Sequence, residues 1–217
     1  MAGFEALARW RGENGIVMDA VDFLPDANWT SAHAAIGSDA ALLALNAFAR
    51  LPRGAALTLS LNIIDTDLFD GGAERLLDTA EELGLAKGAL LFELTEHHTL
   101  PDLERAAAAL AALRLRGARI ALDDFGAGHS SLAWLAHLPI DAIKIDRTLV
   151  ACAGEARGRI VLAAVLTLAR DLGVATIAEG VETDAHARLL RELGCTMAQG
   201  RLCGMALPAE AAFAALA

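Results

Sequence analysis

Five side chains with oxygen donors stand at the ends of short apolar runs: Glu5, Asn62, Glu93, Asp123 and Asp124. Gathered in one place, they would repel each other strongly unless a cation bound among them. An all-oxygen donor set suits a hard divalent ion such as Mg²⁺ or Mn²⁺. The adjacent pair Asp123-Asp124 can reach two ions, as two-metal phosphodiesterases require. Two more residues end runs of the same kind. Lys144 can steady charge developing on a phosphate, and Glu179 can take a proton from an attacking water.

Bringing these residues together requires a scaffold that ends many strands at one rim. Apolar runs at 57–61, 89–92, 119–122, 142–143, 174–178 and 196–198 lead into Asn62, Glu93, Asp123-Asp124, Lys144-Ile145-Asp146, Glu179 and Gln199. Continuous apolar runs of this length read as buried parallel strands. A run at 3–7 carries Glu5 and predicts a seventh strand. Helical patterns lie between: Leu76, Leu77, Ala80 and Leu83 with Gly84 as a stop, 103–116 closed by Gly117, and 160–172 closed by Gly173. Another is capped by Thr183 or Asp184 and ends at Gly194. A helix closed by Gly that leads into a strand is the joint of a βα repeat. From Asn62 onward the run-ending residues recur every 20 to 35 residues, the length of one such unit. A doubly wound sheet shares this rhythm. A barrel is preferred, because barrels collect function at their C-terminal strand ends. The expected architecture is an α/β, TIM-like (β/α)8 barrel lacking its first strand, formed by residues 1–217 as one domain.

Composition narrows the function classes. Hydrophobic residues make up 55% of the 217, but alanine supplies 49 of them. The longest apolar runs, such as 106–113, fall short of the roughly 18 residues a spanning helix needs, so no membrane insertion is expected. A net charge of −10 argues against a nucleic-acid polymer as ligand, since such binders carry a basic stripe. It permits an anionic substrate, because a bound cation inverts the local field. Three scattered cysteines (Cys152, Cys195, Cys203) without a CxxC fit a reducing compartment, and no basic-then-apolar leader opens the chain. A cytoplasmic location is the expectation.

Seven motifs follow one another in order. They are Glu5-Ala6-Leu7-Ala8-Arg9-Trp10, Leu61-Asn62, Glu93-Leu94-Thr95-Glu96, and Asp123-Asp124-Phe125-Gly126-Ala127-Gly128-His129-Ser130-Ser131-Leu132. Lys144-Ile145-Asp146-Arg147, Ala178-Glu179-Gly180-Val181-Glu182-Thr183 and Gln199-Gly200 complete the series. In this order and spacing the sequence resembles the EAL domain family of cyclic di-GMP-specific phosphodiesterases, over residues 3 to 208. The resemblance implies hydrolysis of one phosphodiester of cyclic di-GMP to linear pGpG. It implies a first metal on Glu5, Asn62, Glu93 and Asp123, and a second on Asp123 and Asp124 near Glu179. Both would be Mg²⁺ or Mn²⁺, with Ca²⁺ inhibitory. Lys144 would contact the attacking water, and Glu179 would act as general base or water-positioning ligand. Arg9 and the Leu7 backbone would hold the substrate, and Gln199 and Asp146 would help seat it. Glu96 would brace the loop 126–131, which the family couples to homodimerisation. An upstream sensory or cyclase domain is a further implication.

The chain also departs from the family pattern. The family's first strand, with a substrate-contacting Gln, is missing, and the stretch after Trp10 is irregular. Ala127 replaces a Thr, and His129 replaces an aromatic. A catalytically silent cyclic di-GMP-binding or dimerisation module is therefore the alternative reading. Trp10, Trp29 and Trp134 read more readily as packing residues than as base-stacking platforms, although Trp10 lies near the mouth.

Overall fold

The apolar runs form the strands expected of them, and side-chain alternation decides what each face carries. The structure, a computed structural model, describes residues 2–19, 31–51, 57–95, 100, 102–127, 132–214 and 216. Seven parallel strands make one sheet, in the order β1 (Gly3–Glu5), β4 (Thr58–Ile63), β5 (Leu90–Thr95), β6 (Arg119–Phe125), β7 (Ala142–Ile145), β8 (Ala175–Ala178) and β9 (Met197–Ala198). Two more strands, β2 (Arg9–Arg11) and β3 (Val17–Asp19), pair antiparallel in a separate hairpin. The helices are α1 (Ser31–Phe48), α2 (Asp65–Phe69), α3 (Gly72–Glu82), α4 (Leu103–Arg116), α5 (Leu132–His137), α6 (Arg147–Cys152), α7 (Ala156–Leu172), α8 (Asp184–Glu192) and α9 (Ala209–Ala214). Among the described residues, seven strands in chain order with helices between them give the expected barrel, one strand short of eight. Among the described residues no helix is long and apolar enough to cross a membrane.

On a strand, residues two apart share a face. Leu59, Leu61, Ile63, Leu90, Phe92, Leu94, Ile120, Leu122, Ile143 and Ile145 belong to the large core cluster, packed with the helices. The opposite parity turns inward. Leu91, Ala121, Ala142 and Ile177 form a second small cluster, joined by Ala175 and Met197. Glu5, Asn62, Glu93, Asp123, Lys144, Glu179 and Gln199 share this inward parity, nearer the C-terminal ends of their strands. The barrel therefore has an apolar floor and a polar rim.

Helix ends are settled locally, as expected. Asp102 caps α4 by accepting from the Arg105 N–H at 2.9 Å, and Gly117 closes it in the left-handed region. Thr183, not Asp184, caps α8 by accepting from the His186 N–H.

The two edge strands approach each other without backbone pairing between them. Gln199, just beyond β9, donates from Nε2 to Glu5 Oε2 on β1. Phe213 on α9 meets Phe4 on β1 edge-on, with ring centroids 5.3 Å apart. Gly200 makes the exit from β9 possible. Its φ is +151°, and a Cβ there would lie 2.3 Å from the Val181 nitrogen. Both the backbone conformation and the space exclude larger residues. Gly200→Ala should therefore lower unfolding stability by about 2 kcal/mol or more, measured by urea denaturation. An unchanged midpoint would show that the chain can leave β9 by another route.

Candidate active site

Strand register sets out the rim. Glu5 lies beside Ser60, Asn62 beside Glu93, and Asp123 beside Thr95. Lys144 projects from β7 into the space these strands enclose. Its side chain is 1% exposed, and its Nζ lies 2.8 Å from Glu93 Oε2, 2.8 Å from Glu179 Oε1, 3.0 Å from Asp123 Oδ1 and 3.6 Å from Glu5 Oε2. Carboxylates from the ends of four other strands thus converge on one ammonium.

Asp124 needs a separate explanation. On a regular strand it would point away from Asp123, to the opposite face. The register between β6 and β7 shifts between Leu122 and Phe125, where Asp123 and Asp124 stand against the single residue Lys144. That is a β-bulge, and Asp124 takes a left-handed φ of 55° within it. Aspartate tolerates this conformation better than most residues. The bulge turns Asp124 toward its neighbour. Carboxylate oxygens of Asp123, Asp124 and Glu179 lie within 4.8 Å of one another. Three hard oxygen donors at this spacing fit a divalent cation.

The charges are held in an unusual balance. Burial pushes the Glu93 carboxyl up to about 8, with Glu5 and Asp123 adding to the rise and Lys144 opposing it. Burial likewise lifts Glu179 to about 7, again against the pull of Lys144. Burial works against the Lys144 ammonium, but Glu93, Asp123, Glu5 and Glu179 outweigh it and carry the group above its ordinary value. Lys144 stays charged, while Glu93 and Glu179 give up protons reluctantly.

The other expected site residues are placed as follows. Gln199 reaches the rim and donates to Glu5. Asp146 has a structural occupation: its Oδ1 caps α6, accepting from the Thr148 N–H at 2.9 Å and from the Thr148 hydroxyl. Arg9 lies on the β2–β3 hairpin just past β1 and pairs with Asp19 across it at 2.7 Å. Leu7 is exposed on the way there. Glu96 and residues 128–131 fall outside the described residues, so the bracing of loop 126–131 does too. Trp134 is buried, as a packing residue should be, whereas Trp10 is 49% exposed on the hairpin opposite Met18.

The hairpin, and with it the Arg9–Asp19 pair, was not among the expected elements. Its signal was Asn14-Gly15, a hairpin-turn dipeptide. Asn14 Oδ1 accepts from the Ile16 N–H, and Gly15 has φ +78°.

The raised carboxyls have a consequence for stability. The folded state keeps protons on Glu93 and Glu179 that the unfolded chain has already lost above its ordinary carboxylate range. Stability linked to them therefore falls as pH rises from about 4.5 toward 7 and 8. In chelator, the melting temperature should drop from pH 5.5 to pH 8, and Glu93→Gln should flatten that slope. A wild-type protein that melts higher at pH 8 would contradict the assignment.

Comparison with known proteins agrees with this geometry. The family model described as the EAL domain matches residues 1–206. The bifunctional diguanylate cyclase/cyclic di-GMP phosphodiesterase MucR of Pseudomonas aeruginosa is 33% identical over 225 residues, covering 100% of this chain and 32% of that protein. The chain spans 30–35% of the length of the first curated relatives it matches. A solved structure of the PaMucR phosphodiesterase in complex with c-di-GMP superposes with TM-score 0.85 at 31% identity, covering 98% of this chain and 87% of that one. A manganese and cyclic di-GMP complex of Klebsiella pneumoniae BlrP1 gives TM-score 0.76 at 28% identity, covering 93% and 50%. The oxygen-rich rim, the strand order and the family match over nearly the whole chain lead to one conclusion: this chain belongs to the EAL domain family.

Proposed function

We propose that the chain hydrolyses one phosphodiester of cyclic di-GMP to give linear pGpG, with Mg²⁺ or Mn²⁺ bound at the rim. The observation that carries this reading is the convergence of Glu5, Glu93, Asp123 and Glu179 on one buried cation, with Asp124 turned in beside them. The matching family and the named relatives support the substrate.

In this reading Glu5, Asn62, Glu93 and Asp123 would hold one cation, and Asp123 and Asp124 a second, with Glu179 close by. The bound cations would supply electrostatic stabilisation of charge on the phosphate. The chain's own groups do the rest. Glu179, partly open to solvent at the rim, takes a proton from the attacking water. Water oxygen bonds to phosphorus, the bond to the 3′ oxygen breaks, that oxygen takes a proton from solvent, and Glu179 returns its proton to solvent. Lys144, 2.8 Å from Glu179, stabilises negative charge as it builds. Arg9 would leave Asp19 for the substrate phosphate, a bidentate exchange suited to a guanidinium. The Leu7 backbone and Gln199 would complete the seat, with Asp146 beside it, while the apolar floor beneath keeps the dielectric low.

The proposal extends to the whole unit. Residues 1–217 act as one domain of a cytoplasmic protein. They form a homodimer, with Glu96 bracing the loop that links dimer and site, and they follow a sensory or cyclase domain in a longer parent.

The test is product analysis. Purified protein with Mn²⁺ should convert cyclic di-GMP to pGpG, and chelator or Ca²⁺ should stop it. Glu179→Gln should lower kcat by about 10²–10⁴ while cyclic di-GMP still binds in Ca²⁺. Tight binding in Ca²⁺ with no cleavage in Mn²⁺ would make the chain a receptor. Neither binding nor cleavage would overturn the substrate.

A further inference from the structure

Of the chain's 18 basic residues only two are lysines, Lys87 and Lys144. Lys87 is exposed. Everywhere else, including the surface ion pairs of Arg114 with Asp141 and Arg116 with Asp78, the cation is arginine. A lysine at the centre of the rim therefore stands out. Its compact ammonium has three donors and no acceptor, where a guanidinium would present a wide planar fork. Three carboxylates, Glu93, Glu179 and Asp123, lie within 3.0 Å of Nζ, matching those donors in number. Glu5, at 3.6 Å, instead accepts from Gln199. The ammonium donates to Glu93 and is ion-paired with Glu179 and Asp123, so it sits among the same oxygens that a divalent ion would need.

We infer that Lys144 is the resident counter-cation of the rim: its ammonium holds Glu93, Asp123 and Glu179 together in the metal-free protein and competes with divalent cations for those carboxylates. The inference rests on the metal-holding half of the proposed function and not on hydrolysis. Without Lys144, four carboxylates would face one another in a buried space with no positive charge. With it, a cation entering the rim must displace or repel an ammonium already in place. The lysine stabilises the empty rim and lowers its affinity for metal, so that binding becomes an exchange of one cation for another.

Two measurements test this. At pH 8 in chelator, Lys144→Met should melt about 5–10 °C below wild type. Its Mg²⁺ affinity by titration calorimetry should be about tenfold higher or more. Equal or weaker Mg²⁺ binding, or an unchanged metal-free melting temperature, would overturn the inference. Should that variant not fold, wild-type protein labelled with ¹³C and ¹⁵N in lysine decides alone, because only two side chains give signals. Metal-free Lys144 should show slowly exchanging Nζ protons, and its signals should shift with Mg²⁺ at the calorimetric midpoint while those of Lys87 stay fixed. A Lys144 that exchanges like Lys87, or stays unmoved through a titration whose heat shows binding, would refute the exchange. Mg²⁺ bound without pGpG formation leaves the inference standing and removes only the hydrolytic reading. No Mg²⁺ binding at all overturns both.

Discussion

Four carboxylates close around one ammonium at one end of this barrel, and the surrounding structure depends on keeping that ammonium in place. Lys144 is almost fully buried on β7, in the middle of the sheet, where both neighbouring strands fix its backbone. Removing one partner of a buried ion pair ordinarily costs about 3–5 kcal/mol, because the survivor is left uncompensated. Here several survivors would be left. The same burial that makes the ammonium necessary also makes the carboxyls reluctant to ionise. The site is therefore held at a compromise: enough charge to attract cations, and enough internal compensation to fold without them.

Much of this could be read from the sequence, for a simple reason. Parallel strands buried on both faces appear as apolar runs, and their inward C-terminal positions are the few places where a polar residue interrupts them. Glu5, Asn62, Glu93, Asp123, Lys144, Glu179 and Gln199 were legible because one parity rule and one rim select them all. Asp124 was legible as a donor but not as an inward one, since adjacent residues alternate faces. Only the bulge against Lys144 turns it round, and a bulge depends on pairing between strands that a single strand's sequence does not encode. Side-chain partners were hidden for the same reason. Nothing local says that Arg9 pairs with Asp19, or that Gln199 reaches Glu5 from 194 residues away. Asp146 has a second occupation that its strand-end position does not reveal. The family resemblance places it at the substrate seat, and two residues on stands Thr148, whose N–H makes it a helix cap as well.

The floor of the barrel explains why a rim so rich in acid has raised carboxyls. Ala121, Ala142, Leu91 and Ile177 close the interior below Glu93, Asp123 and Lys144 and leave little that could solvate a charge from beneath. Small side chains at 121 and 142 let the strands bring their ends close. Larger residues on the opposite parity pack under the helices, where volume is needed. The same alternation thus supplies the outer core, the low-dielectric floor and the donor ring. The abundant alanines serve this division too: on α4, Ala106 is fully buried against the core, while the charges of that helix lie on its exposed side.

The ring of donors is not uniformly anchored, and the reason lies in the open seam between β1 and β9. Glu93, Asp123 and Lys144 stand on interior strands with ladder hydrogen bonds on both sides. Glu5 and Gln199 stand at the two open edges, where no backbone ladder joins β1 to β9. Closure there is left to side chains: Gln199 on Glu5 at the rim, and Phe213 on Phe4 outside the barrel. The distances follow this division. The interior carboxylates approach Lys144 to 2.8–3.0 Å, and Glu5 stays at 3.6 Å. Glu5 is therefore the rim carboxylate whose position depends most on the seam. Any segment or partner that pairs with the free edge of β1 would act on the donor ring through this one carboxylate.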